Sequence, residues 1–180
     1  MGGKREPSGA LVRAAQAGSA PDLERLFRAH WPAAHRAAYL VVHDAAAAED
    51  IAQEAFLAAI RAFATFDARR PFAPWLHRIV VNRAIDFARA RALRREVDAE
   101  RVPELAGGGS GGDGPGAGAL SDELMAALAG LAPETRALVV LRHLLEHTPG
   151  EIADLLDLPR GTVNSRLRRA LDRLAGELER

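Results

Sequence analysis

No cysteine occurs in the 180 residues, so neither disulfides nor thiolate metal sites hold the chain together, and a reducing compartment, the cytoplasm, is expected. No stretch approaches the roughly 20 consecutive apolar residues that would cross a bilayer, and Met1–Ala20 lacks the apolar core of a secretory signal. A protein without membrane attachment is predicted. No alternation of apolar and polar residues marks a strand. No nucleophile, base and orienting partner come together in the sequence, so no enzymatic activity is expected. Six histidines are present, but His143 and His147, four apart, have no third ligand and no H-E-x-x-H pattern. They are expected to be structural or surface residues, with no metal and no cofactor.

Net charge is also lacking: 24 basic residues balance 24 acidic ones. Taken as an average this argues against a nucleic-acid binder, but the charge is not evenly spread. Arg69–Arg95 carries eight arginines against the single carboxylate of Asp86, and Arg160–Arg173 carries five against Asp172. Asp44–Glu54 reverses the sign, with Asp44, Glu49, Asp50 and Glu54 and no base. Segregated charge predicts separate surfaces for separate partners.

What the chain does contain is helix, interrupted by a run that cannot bury a core. Ala106–Ala119 reads AGGGSGGDGPGAGA, a flexible tether. The organisation predicted is an all-α fold of two small helical domains: a flexible N-terminal tail over 1–20, a first domain over 21–98, a Gly-rich linker over 99–119, and a second domain over 120–180. Each domain is small enough to be marginal without a partner, and the tether predicts that the two move independently. Leu23, Phe27, His30, Ala34, Ala37 and Val41 follow one helical face, which Pro32 is expected to kink or restart. Further helices are predicted over Ala46–Ala64, Pro74 to about Arg95, Leu120–Leu131, Pro133–Glu146, Pro149–Leu156 and Gly161–Leu178, with Pro74, Pro133 and Pro149 in first turns.

Three segments carry chemistry. In Pro149–Leu174, a short apolar-faced helix (Ile152, Ala153, Leu155, Leu156), a tight turn at Asp157–Arg160 and a second helix make a helix-turn-helix. On the second helix Val163, Leu167, Ala170, Leu171 and Leu174 share one side. The outer side mixes Asn164, Ser165, Arg166, Arg168, Arg169 and Arg173 around Asp172, side chains suited to base edges in a major groove, while Arg160 and Thr162 stand at the helix start, where free N–H groups suit a phosphate. In Ala47–Ile60, Glu49, Asp50, Gln53, Glu54, Leu57 and Arg61 gather on or beside one helical face opposite Ile51, Ala55, Ala59 and Ala62. This is an acidic docking face with a leucine anchor. In Phe72–Arg95, Leu76, Val80, Ala84 and Phe87 form a buried stripe, with Trp75, Arg78, Asn82, Asp86 and Arg89 outside it. Aromatics beside arginines suit single-stranded DNA.

Together these segments resemble extracytoplasmic-function (ECF) sigma factors of RNA polymerase. Glu151, Ile152 and Ala153 match the E-I-A of sigma region 4, and Gly161, Thr162, Val163, Ser165, Arg166, Arg169 and Ala170 match its G-T-V-x-S-R-x-x-R-A. Asp157 stands where the family has glycine, and Asp tolerates the left-handed backbone such a turn needs. Asp50, Gln53 and Glu54 match E-D-x-x-Q-E-x-F of region 2, and Trp75, Arg78, Asn82 and Asp86 match its F-x-x-W-L-x-R-I-A-x-N-x-x-x-D. The resemblance implies a promoter-recognition subunit that directs transcription initiation. The face with Glu49, Asp50, Gln53, Glu54 and Leu57 would bind core RNA polymerase. The segment with Phe66, Arg69, Arg70, Phe72, Trp75, Arg78, Asn82, Asp86 and Arg89 would hold the single-stranded −10 non-template strand, with a flipped base trapped in the loop Phe66–Phe72. Arg160, Thr162, Asn164, Ser165, Arg166, Arg168, Arg169 and Arg173 would read the duplex −35 element. An anti-sigma factor is an expected partner. A stand-alone helix-turn-helix regulator is the alternative, but it leaves the acidic face idle.

Overall fold

The computed structural model describes residues 9–101 and 121–179. It is all-α, with no strand among the described residues. The helices are α1 (Gly9–Gln16), α2 (Ala20–Val42), α3 (Ala45–Ala62), α4 (Phe72–Arg101), α5 (Asp122–Ala129), α6 (Pro133–His143), α7 (Pro149–Leu156) and α8 (Arg160–Leu178), with a 3-10 turn at Phe63–Thr65 after α3.

Local chemistry sets the boundaries. α2 ends at His43, whose left-handed backbone (φ 52°) lets its N–H donate to the Tyr39 carbonyl. One residue later Asp44 caps α3, its carboxylate accepting from the Ala47 N–H at 3.0 Å. The same carboxylate accepts from Arg91 Nη1 at 2.9 Å, which ties the start of α3 to the far part of α4. Pro32 neither breaks nor restarts α2, which runs through it as one helix.

Alanine makes the first half compact. Ala34, Ala37, Ala38, Ala48, Ala52, Ala55, Ala59 and Ala84 are fully buried where α2, α3 and α4 pack on one another, because a methyl group lets helix axes approach to the short end of their usual 8–10 Å separation. Leu26, Val41, Leu76, Val80 and Val81 fill the remaining space. Deleting one of these buried leucines costs about 2–5 kcal/mol. The second half closes around Leu138, Leu141, Ile152 and Val163, with α8 lying across α5, α6 and α7.

Three expectations are corrected. Residues 9–20 are not a frayed tail: α1 is helical, and Val12 and Ala15 are buried. Its apolar stripe of Leu11, Val12 and Ala15 spans only two turns, too short to register as periodicity. Residues 99–101, expected in the linker, continue α4, and the glycine run lies outside the described residues. Third, the two halves are packed together rather than apart, with α6 on α2 and α4, and α7 on α4. A glycine tether permits independent motion but does not require it, and here buried polar contacts across the seam decide.

Candidate interaction surfaces

α3 divides as its sequence predicts except at Ala62, which was expected inside and is exposed at the helix end. Ile51, Ala55 and Ala59 are buried, while Glu49, Asp50, Gln53, Glu54 and Arg61 are exposed. Gln53 Nε2 donates to Glu49 Oε1 at 3.3 Å. Leu57 is 52% exposed and Ile60 43%, two large apolar side chains one turn apart beside carboxylates. Ile60 was not singled out in the sequence, although its spacing of three from Leu57 places it on the same face. Asp50, Glu54, Arg83, Asp86 and Phe87 line a groove between α3 and α4. Asp86, assigned from sequence to the −10 surface, therefore lies beside the acidic face. An exposed apolar pair rimmed by acids suits a basic, partly apolar helix.

The turn between α3 and α4 is built on aromatic rings. Phe66 and Phe72 are buried, 9% and 2% exposed, with ring centroids 5.8 Å apart. Trp75 lies 4.7 Å from Phe66 and keeps one side open. Phe66 and Phe72, expected to help hold the −10 strand, turn their rings inward instead: Phe72 packs on Phe27, Phe63 and Trp75 and Phe66 on Phe72 and Trp75, because an aromatic at the foot of a helix buries more area inward than outward. Asp67 organises the outer loop. Its carboxylate accepts from the Arg69 N–H at 3.0 Å and from the Arg69 guanidinium at 2.9 Å, hydrogen bonds that hold it down at about 2. Arg69 is thus engaged, while Arg70, Arg78, Asn82, Asp86 and Arg89 are exposed. Phe66, Asp67, Arg70, Trp75 and Arg78 border a cleft of about 410 Å³ whose opposite wall is Glu151, Asp154 and Leu155 of α7.

In the second half, α7 and α8 form the expected helix-turn-helix. Thr148 accepts from the Glu151 N–H, and Glu151 accepts from the Thr148 N–H at 2.7 Å, a reciprocal cap. Asp157 takes the left-handed conformation, φ 53°, and the Leu158 N–H reaches back to the Ala153 carbonyl at 2.9 Å. α8 buries Val163, Leu167, Ala170 and Leu174 and exposes Arg160, Asn164, Arg168, Arg169 and Arg173. Leu171, placed on the inner side from sequence, is 42% exposed. Ser165 Oγ donates to the Thr162 carbonyl at 3.1 Å, so its hydroxyl hydrogen is already spent on the helix. Arg173 is paired with Glu177 at 3.0 Å.

The seam brings surfaces from both halves together. Arg89 donates to Glu134, and burial opposes but Arg89 outweighs it, so the Glu134 carboxyl sits below its ordinary value. Arg89, Glu134, Arg166, Arg169 and Arg173 border one depression. Arg136, buried, donates to Val41 of α2 at 2.5 Å and to Ala129 and Leu131 at 2.8 Å. Burial lowers its guanidinium to about 10. His77 Nδ1 lies 2.9 Å from His147 Nε2. Neither the reach of Arg136 to Val41 nor the pairing of His77 with His147 was visible in the sequence, because each joins residues 70 or more positions apart.

The Sigma-70 region 2 family matches residues 26–94 and the Sigma-70 region 4 family matches residues 121–174. The ECF RNA polymerase sigma factor SigM of Mycobacterium tuberculosis is 34% identical over 176 residues, which cover 97% of this chain and 87% of that protein. The chain is an ECF sigma factor. Its fold is shared with CnrH, solved in complex with the cytosolic domain of CnrY, at a TM-score of 0.71 and 26% identity over 96% of this chain and 97% of that one. The sigma factor RpoE of Bartonella quintana, solved with the anti-sigma factor NepR, has the same fold at a TM-score of 0.68 and 23% identity, over 88% and 97% of the two chains. As an ECF sigma factor this chain acts in transcription initiation, and the helix-turn-helix of α7 and α8 lies in its region 4. Among the described residues no helix is long and apolar enough to cross a membrane, and no three His, Cys, Asp or Glu residues cluster in a way that would hold a metal ion.

Proposed function

We propose that this sigma factor brings core RNA polymerase to promoters through three surfaces, works in the cytoplasm, and catalyses nothing itself. The observation that carries the reading is the exposure pattern of α3: Leu57 and Ile60 stand open together on the same helix as the exposed carboxylates of Glu49, Asp50 and Glu54. Glu49, Asp50, Gln53, Glu54 and Leu57 dock on polymerase. Asn164, Arg168 and Arg169, with Arg160, Thr162 and Arg166, meet the −35 duplex. Ser165, whose hydroxyl is bonded to its own helix, contributes by packing. Arg70, Arg78 and Asn82 hold the opened −10 strand, and Trp75 provides the stacking edge in place of the buried Phe66 and Phe72.

The closed arrangement bears on how these surfaces are used. Twenty-five positions between −35 and −10 span about 85 Å of duplex at 3.4 Å each, whereas the two reading surfaces here share a seam. Reading both elements therefore requires the halves to separate, and polymerase is the partner large enough to hold them apart. An anti-sigma factor is the partner that would hold them together. Transcription from a genomic fragment library with core polymerase, with and without this chain, tests the proposal. Discrete new start sites are expected, and an unchanged transcript set would reject it.

A further inference from the structure

The geometry points to α1 as a brace for the loop Phe66–Phe72, with Gln16 as its positioning residue. This rests on the reading that the loop receives a −10 base. α1 precedes the region 2 match, which begins at residue 26, and both of its ends touch the loop. At one end the single amide nitrogen of Gln16 donates to two main-chain carbonyls, Phe63 at 2.9 Å and Phe66 at 2.6 Å. These carbonyls flank the 3-10 turn that ends α3, so one side chain fixes where the turn stops and the loop begins. Both amide hydrogens are used, which sets the orientation as well as the position. At the other end Gly9 lies so close that a Cβ added to it would come within 2.8 Å of the Ala68 carbonyl oxygen. Val12, 1% exposed, anchors the helix between these two contacts.

The loop's two ends are seated by the buried rings of Phe66 and Phe72, but the residues between them have little else behind them. Its outer side is tied by Asp67 to Arg69 and Arg70, all within the loop itself, and such local bonds shape a turn without placing it on the body of the protein. α1 supplies the placement of the segment between the rings, through Gly9 against Ala68 and Gln16 on the Phe66 carbonyl. A loop that must present its cleft to an unstacked base gains from being held before the base arrives, since ordering on binding would be subtracted from affinity.

Two variants attack the brace independently in the full chain assembled with core polymerase. Gln16→Met keeps the side-chain length and removes both donors, whereas Gly9→Val leaves the amide intact and displaces Ala68. For each, affinity for a single-stranded −10 non-template oligonucleotide is expected to fall about tenfold, the equivalent of one to two net hydrogen bonds, with polymerase assembly and −35 duplex binding unchanged. Gln16→Lys, whose ammonium can donate to the same carbonyls, should recover most of the loss. If both variants bind the single strand normally while Arg70→Ala and Asn82→Ala do not, α1 has no positioning role and the loop reading stands. If Arg70→Ala and Asn82→Ala also bind normally, the reading of the −10 surface fails and the brace proposal fails with it. A Gln16→Met defect that extends equally to duplex binding and is not relieved by lysine would reduce Gln16 to a stability residue and overturn the proposal.

Discussion

His77 and His147 meet ring to ring across the seam between the two halves, Nδ1 of one 2.9 Å from Nε2 of the other and both buried. Burial, then the charges of His147 and His30, lowers His77 to about 3. Burial also lowers His147, though Glu151 on α7 pulls it the other way. His43, beside Arg136, is lowered to about 4 by burial and then by that guanidinium. These groups are neutral in the closed form and titrate near 6.5 once released. The separated form therefore binds more protons at acid pH, and closure is fully present above 6.5 and lost as pH falls from there towards 3–4. The slope approaches about 1.4 kcal/mol per pH unit for each histidine exposed. Solution scattering should show the particle expanding between pH 7.5 and 5.5, with His147→Gln reducing the change. A particle of constant size over that interval would contradict the reading.

Arg136 is expected to be the costliest single residue at the seam. Arg136→Ala leaves the Val41, Ala129 and Leu131 carbonyls without their donor, and hydrogen bonds to a charged group are worth about 1.5–3 kcal/mol. A loss of about 3 kcal/mol in urea unfolding is expected. Arg136→Lys should not recover it, since an ammonium lacks the planar fork that spans three acceptors.

Asp50→Ala with Glu54→Ala, and separately Leu57→Ala, should weaken binding to core polymerase while changing stability by no more than about 0.5 kcal/mol, because all three side chains are exposed. Calorimetric titration against core polymerase, alongside thermal melts, separates the two effects. Undiminished affinity would remove α3 from the docking surface.

The two DNA surfaces should fail differently. Arg169→Ala should weaken duplex binding and relax −35 preference by about 1–3 kcal/mol. Asn82→Ala should leave duplex binding intact and reduce permanganate reactivity of unpaired thymines, with partial rescue on a pre-melted bubble. Equal loss of duplex binding in both variants would end the division of labour.

How far the sequence reached follows from the range of each interaction. Helix identity and the left-handed Asp157 depend on residues within a few positions and were readable directly. The outer face of α3 was readable because Asp50, Gln53, Glu54 and Leu57 obey one period. Phe66 and Phe72 were misplaced because an aromatic beside arginines looks the same whether it faces a base or another ring, and only the fold brings Phe27 to Phe72 and closes Phe66 under Trp75. α1 was missed because Gln16 matters through carbonyls 47 and 50 residues away. The seam was missed because Arg136 and His77 carry no local sign of their distant partners.

The pairing of Arg89 with Glu134, beside Arg166, Arg169 and Arg173, bears on the search for a promoter as well as on its recognition. A genome offers on the order of 10⁶–10⁹ random sites, and their hold on a protein comes from cations that displace counterions from phosphate. In the closed chain Arg89 is already paired with Glu134 and Arg166 beside it is half-buried, so these cations displace fewer. The unassembled factor is thereby spared capture by decoy DNA and remains free to diffuse to polymerase, and the cations become available to duplex once the halves have parted.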